Sequence, residues 1–282
     1  MKNSKYNKNE EIRQPQILFL IRGHKDFLED ELTQRQTWAK ESPLHQTFWV
    51  HGDEKIERPL VKDRQILIPL NDSRLNMLTK VLEAVKFSLS FSNPELIILT
   101  TTNTYFHIPR VMNVLEMMKS KDFQLAGHLE NWSHRDSTEI MRGKLISKGE
   151  QFINGATMLL REQAYRSLTG ISPKDYLSVP DDLAISYHFK EVGVAWLHVP
   201  RNNMYSSHFF IPKYSHRIKG TNDKGHTSKR MILIHNFYNS TNIYRMCLAY
   251  LKLQIAEVAN VPLKRLIFPK SYLLRIIKGR FN

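Results

Sequence analysis

The apolar run Leu96-Ile97-Ile98-Leu99 breaks off into Thr100-Thr101-Thr102-Asn103 before Tyr105-Phe106-His107-Ile108 resumes it, and this stretch constrains the fold more than any other. Four apolar residues behind Pro94 are too few for a helix and suit a central strand buried on both faces. Upstream, Ile66-Leu67-Ile68-Pro69-Leu70 reads as a strand and Asn71-Asp72-Ser73 as a helix cap. Leu75, Leu78, Val81, Leu82, Val85 and Leu89 then fall at helical spacing. Strand, helix and strand in that order make a right-handed β-α-β unit, hence a parallel sheet with helices on its faces. Ligands of such sheets collect at the carboxyl ends of the strands, where Thr101, Thr102 and Asn103 fall. The same residues also read as a plain polar turn between two strand segments.

Other segments extend the pattern. Gln16-Ile17-Leu18-Phe19-Leu20-Ile21 is a first strand, followed by Arg22-Gly23-His24 as a turn. Residues 27–40 read as a helix with acids in front and bases behind, and Trp38 as its core anchor. Thr47-Phe48-Trp49-Val50 is a second strand, closed by a turn at His51-Gly52-Asp53. Later strands are expected at 123–127, 152–160, 194–199 and 231–235, and helices at 110–119, 161–168 and 181–192. A final helix carries Ile243, Met246, Tyr250 and Leu253 on one face. Residues 128–151 have no period and read as a substrate-contacting loop. Small residues interrupt the strand at Asn154-Gly155-Ala156, where a ligand or another backbone can come close.

With 41% apolar residues in 282, the chain can bury a sizeable core, and no repeat or linker divides it. We expect a flexible N-terminus over 1–14, one α/β domain over 15–258, and a basic, apolar tail over 259–282. Its 41 Lys and Arg against 27 Asp and Glu leave +14, a surface that attracts nucleic acid, anionic lipid headgroups or a phosphorylated small molecule. Cys247 is the single cysteine, which rules out an intrachain disulfide and a cysteine-built zinc site. Residues 1–14 lack the apolar core of a signal peptide, so a cytoplasmic protein is expected.

Asp181 and Asp182 open a helix behind Pro180. Adjacent acids there serve as caps and dipole partners, or one serves as a catalytic base. His235 is either a histidine satisfied at a strand end or a ligand.

Taken together, the chain resembles the fringe and β1,3-galactosyltransferase/β1,3-N-acetylglucosaminyltransferase family over residues 17–246. Arg35-Gln36-Thr37-Trp38 matches its Arg-x-Thr-Trp. Asp72-Ser73 with Asn76 and Lys80 matches its Asp-Ser-Tyr-x-Asn-Leu-Thr-x-Lys, with Arg74 in place of tyrosine. Phe152-Ile153-Asn154-Gly155 stands where it has an aromatic followed by Ser-Gly. Pro180-Asp181-Asp182 with Gly193, and Ile234-His235 with Met246, match its later motifs. The resemblance implies a single GT-A-like (Rossmann-like) α/β domain with a mostly parallel central sheet flanked by helices. It also implies inverting transfer from a nucleotide-diphosphate sugar, a UDP-sugar, to a glycan hydroxyl. Asp182 is then the base and Asp181 orients the acceptor or Asp182. Arg35, Asp72, Thr101, Thr102, Asn103, Asn154 and Gly155 line the donor site, and His235 with Asn103 holds Mn²⁺.

The departure from the family falls on Thr101-Thr102-Asn103, where the family has an acidic run that binds the metal. A neutral amide holds a divalent ion more weakly than a carboxylate. Basic residues such as Arg142, Lys144 and Lys213 can neutralise the leaving group in its place. The tail over 263–281 interleaves Lys and Arg with apolar residues, which fits an anionic membrane surface and a lipid-linked glycan acceptor, or a terminal helix packed on the domain. Two rivals stand beside the transferase. One is a sugar-nucleotide-binding pseudoenzyme, and the other a basic nucleic-acid-binding protein, for which no helix-turn-helix, zinc or RNP-like signature is present.

Overall fold

The computed structural model describes residues 16–24, 28–40, 42–102, 104–106, 108–132, 140–141, 144–145, 149–176, 179–199, 205–206 and 233–235. The expected N-terminal segment, the final helix and the basic tail lie outside them.

In chain order the elements are β1 (Ile17–Arg22), α1 (Leu28–Gln36), β2 (His45–Gly52), β3 (Leu60–Lys62), β4 (Gln65–Ile68), α2 (Met77–Ser88), β5 (Leu96–Thr101), β6 (Thr104–Phe106), α3 (Ile108–Ser120) and β7 (Leu125–Asn131). They continue with β8 (Ile140–Met141), β9 (Lys144–Leu145), β10 (Gln151–Leu160), α4 (Glu162–Leu168), α5 (Asp181–Glu191), β11 (Trp196–His198), β12 (Tyr205–Ser206) and β13 (Leu233–His235). Eight strands form one mixed, mostly parallel sheet in the order β11-β7-β10-β5-β1-β2-β4-β3. β1 runs parallel to β2 and β5, β2 to β4, and β7 to β11. β10 is antiparallel to both its neighbours, and β3 to β4.

Both faces of the sheet are covered, as continuous apolar strands require. Leu18 and Leu20 of β1 enter a core with residues of α2, α4 and α5. Ile17, Phe19 and Ile21 enter a second core with Trp38 and residues of α3. There Phe19, Trp38 and Phe106 meet at ring-centroid distances of 5.0 Å. The described residues therefore form a three-layer α/β domain, the fold class that the sequence leads one to expect. Among the described residues no helix is long and apolar enough to cross a membrane.

Local expectations need correction at the start of α2. Its N-cap is Asn76, not 71–73, and it makes no side-chain capping bond. The Asp72 carboxylate bonds Lys80 instead. Leu75, counted with the apolar face, lies in the 3-10 turn Arg74–Asn76 and is 87% exposed. The turn expected at His51 and Gly52 is the end of β2. Arg22, read as a turn residue, is the last residue of β1. Residues 128–131, assigned to a loop, continue β7.

Candidate functional site

Three elements converge at the carboxyl ends of β1 and β5. β1 delivers Arg22, β10 delivers Gly155 and α5 delivers Asp181 and Asp182 in its first turn. Pro180 occupies the N-cap, so neither aspartate is the capping residue. Arg22 Nε donates to Thr100 O at 3.3 Å, which fixes the guanidinium from the strand side. Its Nη1 forms an ion pair with Asp181 Oδ2, with 10% and 15% of the two side chains exposed. Asp182 is held by backbone: Gly155 N donates to Oδ2 and Leu183 N to Oδ1, each at 2.9 Å.

Burial, and next the neighbouring Asp181 charge, push the Asp182 carboxyl up to about 6, while Arg22 and the two amides pull the other way. A carboxylate poised near neutrality is suited to accept a proton. Gly155 makes this arrangement sterically accessible. A Cβ there would sit 2.9 Å from Nη1 and Nη2 of Arg22 and from Asp182 Oδ2. Between Ile153 and Met158 the register of β10 against β7 shifts. Within that irregularity Asn154 Oδ1 accepts from Ala156 N at 2.8 Å, shaping the main chain that carries Gly155.

A charged network continues beneath the next strands. Lys80 Nζ, completely buried, donates to Asp72 Oδ1 at 2.6 Å and to Gly23 O at 2.7 Å, beside Arg22. His51 Nε2 lies 2.9 Å from Glu31 Oε2, and His51 Nδ1 lies 3.8 Å from Asp72 Oδ2. Burial drags the Asp72 carboxyl upward, yet His51 and Lys80 carry it well below the usual carboxylate range. Burial also drags His51 down, and Asp72 and Glu31 push it up by more. Lys80 is lowered by burial against the pull of Asp72.

Arg35 joins this network from outside, donating to Glu31 Oε1 at 2.7 Å and Asp63 O at 2.6 Å, with its guanidinium 4.2 Å from the Trp49 ring centre. Thus Arg35 and Asp72 share one network, and Asn154, Gly155, Asp181 and Asp182 share the other.

Thr101 ends β5, and Thr102 is buried in the turn to β6. Thr101 Oγ1 lies 3.0 Å from Thr104 Oγ1. Gln34 Nε2 donates to Thr101 O at 3.2 Å and Thr104 O at 2.9 Å, while Trp38 Nε1 reaches Thr104 O at 3.0 Å. The turn is therefore clamped from α1 and the segment after it. Asn103 lies outside the described residues, as do the side chains of His235 and Lys144 and all of Arg142 and Lys213. The β13 backbone sets His235 opposite Thr104 of β6. Among the described residues no three His, Cys, Asp or Glu side chains are grouped to hold a metal ion. Thr101 and Thr102 present neutral hydroxyls that do not fit Mn²⁺ as carboxylates do.

Sequence reasoning missed Arg22, Glu31, Gln34 and His51. Gln34 directly precedes the Arg35–Trp38 match, which was its one available signal. The other three gain their meaning only from strand order.

No protein-family profile matches the chain, and no curated protein matches it in sequence. Among solved structures it is similar to a mannosyltransferase from Pyrobaculum calidifontis in complex with GDP-Man and Mn²⁺, at 8% identity and a TM-score of 0.43, over 88% of this chain and 65% of that one. It is similar also to a glycosyltransferase involved in the glycosylation of the major capsid of PBCV-1, at 10% identity and 0.43, over 82% of this chain and 99% of that one. A third is 2-C-methyl-D-erythritol 4-phosphate cytidylyltransferase of Francisella tularensis, at 9% identity and 0.37, over 65% and 89%. The chain thus spans about two thirds of the length of the first of these, at 65%.

Proposed function

We propose that this chain is an inverting glycosyltransferase of the fringe-like type. It moves a hexose or N-acetylhexosamine from a nucleotide-diphosphate sugar, a UDP-sugar, to a hydroxyl of a glycan acceptor. The observation that carries the reading is Asp182, a carboxylate fixed by two amides at the sheet's carboxyl end and raised to about 6. In the reaction Asp182 takes the acceptor proton as the hydroxyl attacks the anomeric carbon and the nucleotide departs from the opposite side. The donor sugar meets the main chain at Asn154 and Gly155, where the bare side-chain position of Gly155 admits the ends of Arg22 and Asp182, and Asp181 orients the acceptor. Arg22 and Lys80 supply positive charge near the departing diphosphate. Mn²⁺, where bound, belongs to Asn103 and His235 and would add charge stabilisation at that leaving group. The proposed setting is the cytoplasmic face of a membrane, with residues 263–281 on anionic headgroups, a lipid-linked glycan as acceptor and polysaccharide synthesis as the outcome.

The test is a thermal-shift screen of UDP-, GDP- and CMP-sugars, followed by turnover of the stabilising donor. Asp182→Asn should bind that donor as the wild type does and transfer about 10²- to 10⁴-fold more slowly. Full transfer by the variant removes Asp182 from the role of base. A second reading, a sugar-nucleotide-binding protein without turnover, is favoured by the neutral Thr101 and Thr102; donor stabilisation with no turnover would support it.

A further inference from the structure

Two adjacent carboxylates in a partly buried helix start repel one another, and the surrounding charges decide which of them takes up a proton. Here the charges come from three elements. Arg22 stands at the end of β1, Lys80 on α2 beneath it, and Asp72 pairs with Lys80. Arg22 is the one in contact with Asp181. Its Nε is tied to Thr100 O and its Nη1 to Asp181, so the guanidinium is fixed at both ends. Arg22 and Asp182 flank the bare side-chain position of Gly155, where one Cβ would touch both groups at 2.9 Å.

We infer that Arg22 is a positioning residue of this site: it pins Asp181 in an ion pair and lends its charge across Gly155 to Asp182, so that Asp182 alone is presented as the base. Residue 22 thereby sets the pH at which the base becomes available. The inference rests on the transferase reading for its catalytic meaning and on the geometry alone for the electrostatics. The Asp181 charge pushes Asp182 up by more than Arg22 pulls it down. The two partners therefore act on Asp182 with opposite sign.

The experiment follows the Asp182 carboxyl carbon by NMR against pH in the full chain labelled with ¹³C-aspartate. Arg22→Gln should raise the Asp182 midpoint, Arg22→Lys should return most of the shift, and Asp181→Asn should lower it. In turnover, the midpoint of the pH–rate profile of Arg22→Gln should rise together with the Asp182 midpoint, on top of whatever pH-independent loss the missing charge causes at the diphosphate. A purely structural defect would lower the rate equally at every pH.

An unmoved Asp182 midpoint in Arg22→Gln, or shifts of the same sign in Arg22→Gln and Asp181→Asn, overturns the inference. If Arg22→Gln does not fold, Arg22→Gln/Asp181→Asn removes both members of the ion pair. Its midpoint should lie below that of the wild type, and one at or above the wild type overturns the inference. Absence of turnover in the wild type counts against the transferase reading and leaves the NMR outcome to decide this one.

Discussion

Lys80 Nζ lies 2.6 Å from Asp72 Oδ1 with none of the lysine side chain exposed. Removing one member of such a pair strands a buried charge. Lys80→Met should therefore destabilise the fold by about 3–5 kcal/mol, whereas Lys80→Met/Asp72→Asn should cost less than the sum of the single changes. Urea unfolding of the four proteins checks it, and strict additivity would show that the two side chains are not coupled.

The same network gives a pH dependence. Glu31 and Asp72 hold His51 above its ordinary value despite burial. Its contribution is then fully present below about pH 6.5 and disappears as pH rises through the raised folded value. The melting-temperature gap between wild type and His51→Gln should be widest in acid and narrow on the alkaline side. A gap constant across the range would mean that His51 contributes only by packing.

Gly155→Ala places a methyl 2.9 Å from the ends of Arg22 and Asp182, which can make room only by loosening their bonds to Thr100, Asp181 and the Gly155 and Leu183 amides. The melting point should fall, and kcat/KM for transfer should fall at least about tenfold, or ~1.4 kcal/mol. Wild-type kinetics in this variant would show that the placement of Arg22 and Asp182 does not matter for transfer.

Asn103 falls on the last acid of the family's metal-binding run in the proposed alignment. A charged oxygen strengthens binding of hard divalent ions, so Asn103→Asp should tighten Mn²⁺ binding in calorimetry with UDP present. His235→Ala in that background should reverse the gain. Equal affinities in wild type and Asn103→Asp would refute this alignment of the turn.

Much of the fold was legible because apolar strands and one-sided helices announce themselves. β1, β2, β5, α2 and α5 stand within a few residues of where periodicity sets them. The direction of β10 was not legible, since an apolar run reads alike in either sense. β3 is only three residues long and turns into β4 through Asp63 and Arg64, both at positive φ without a glycine to mark them. Asp181 and Asp182 were visible as an adjacent pair, but their separate tasks were not. Those depend on Arg22, a residue that local sequence presents as part of a turn.

The Arg22–Asp181 ion pair joins positions 159 residues apart, and Arg22 to Thr100 spans 78. Contacts that remote close late in folding, after the local helices and neighbouring strands have formed. The site therefore does not exist in a chain still emerging short of α5, nor in a collapsed intermediate whose sheet lacks β10. Under the proposed function, the base is therefore assembled only when α5 docks against β10 and Asp182 meets the Gly155 amide.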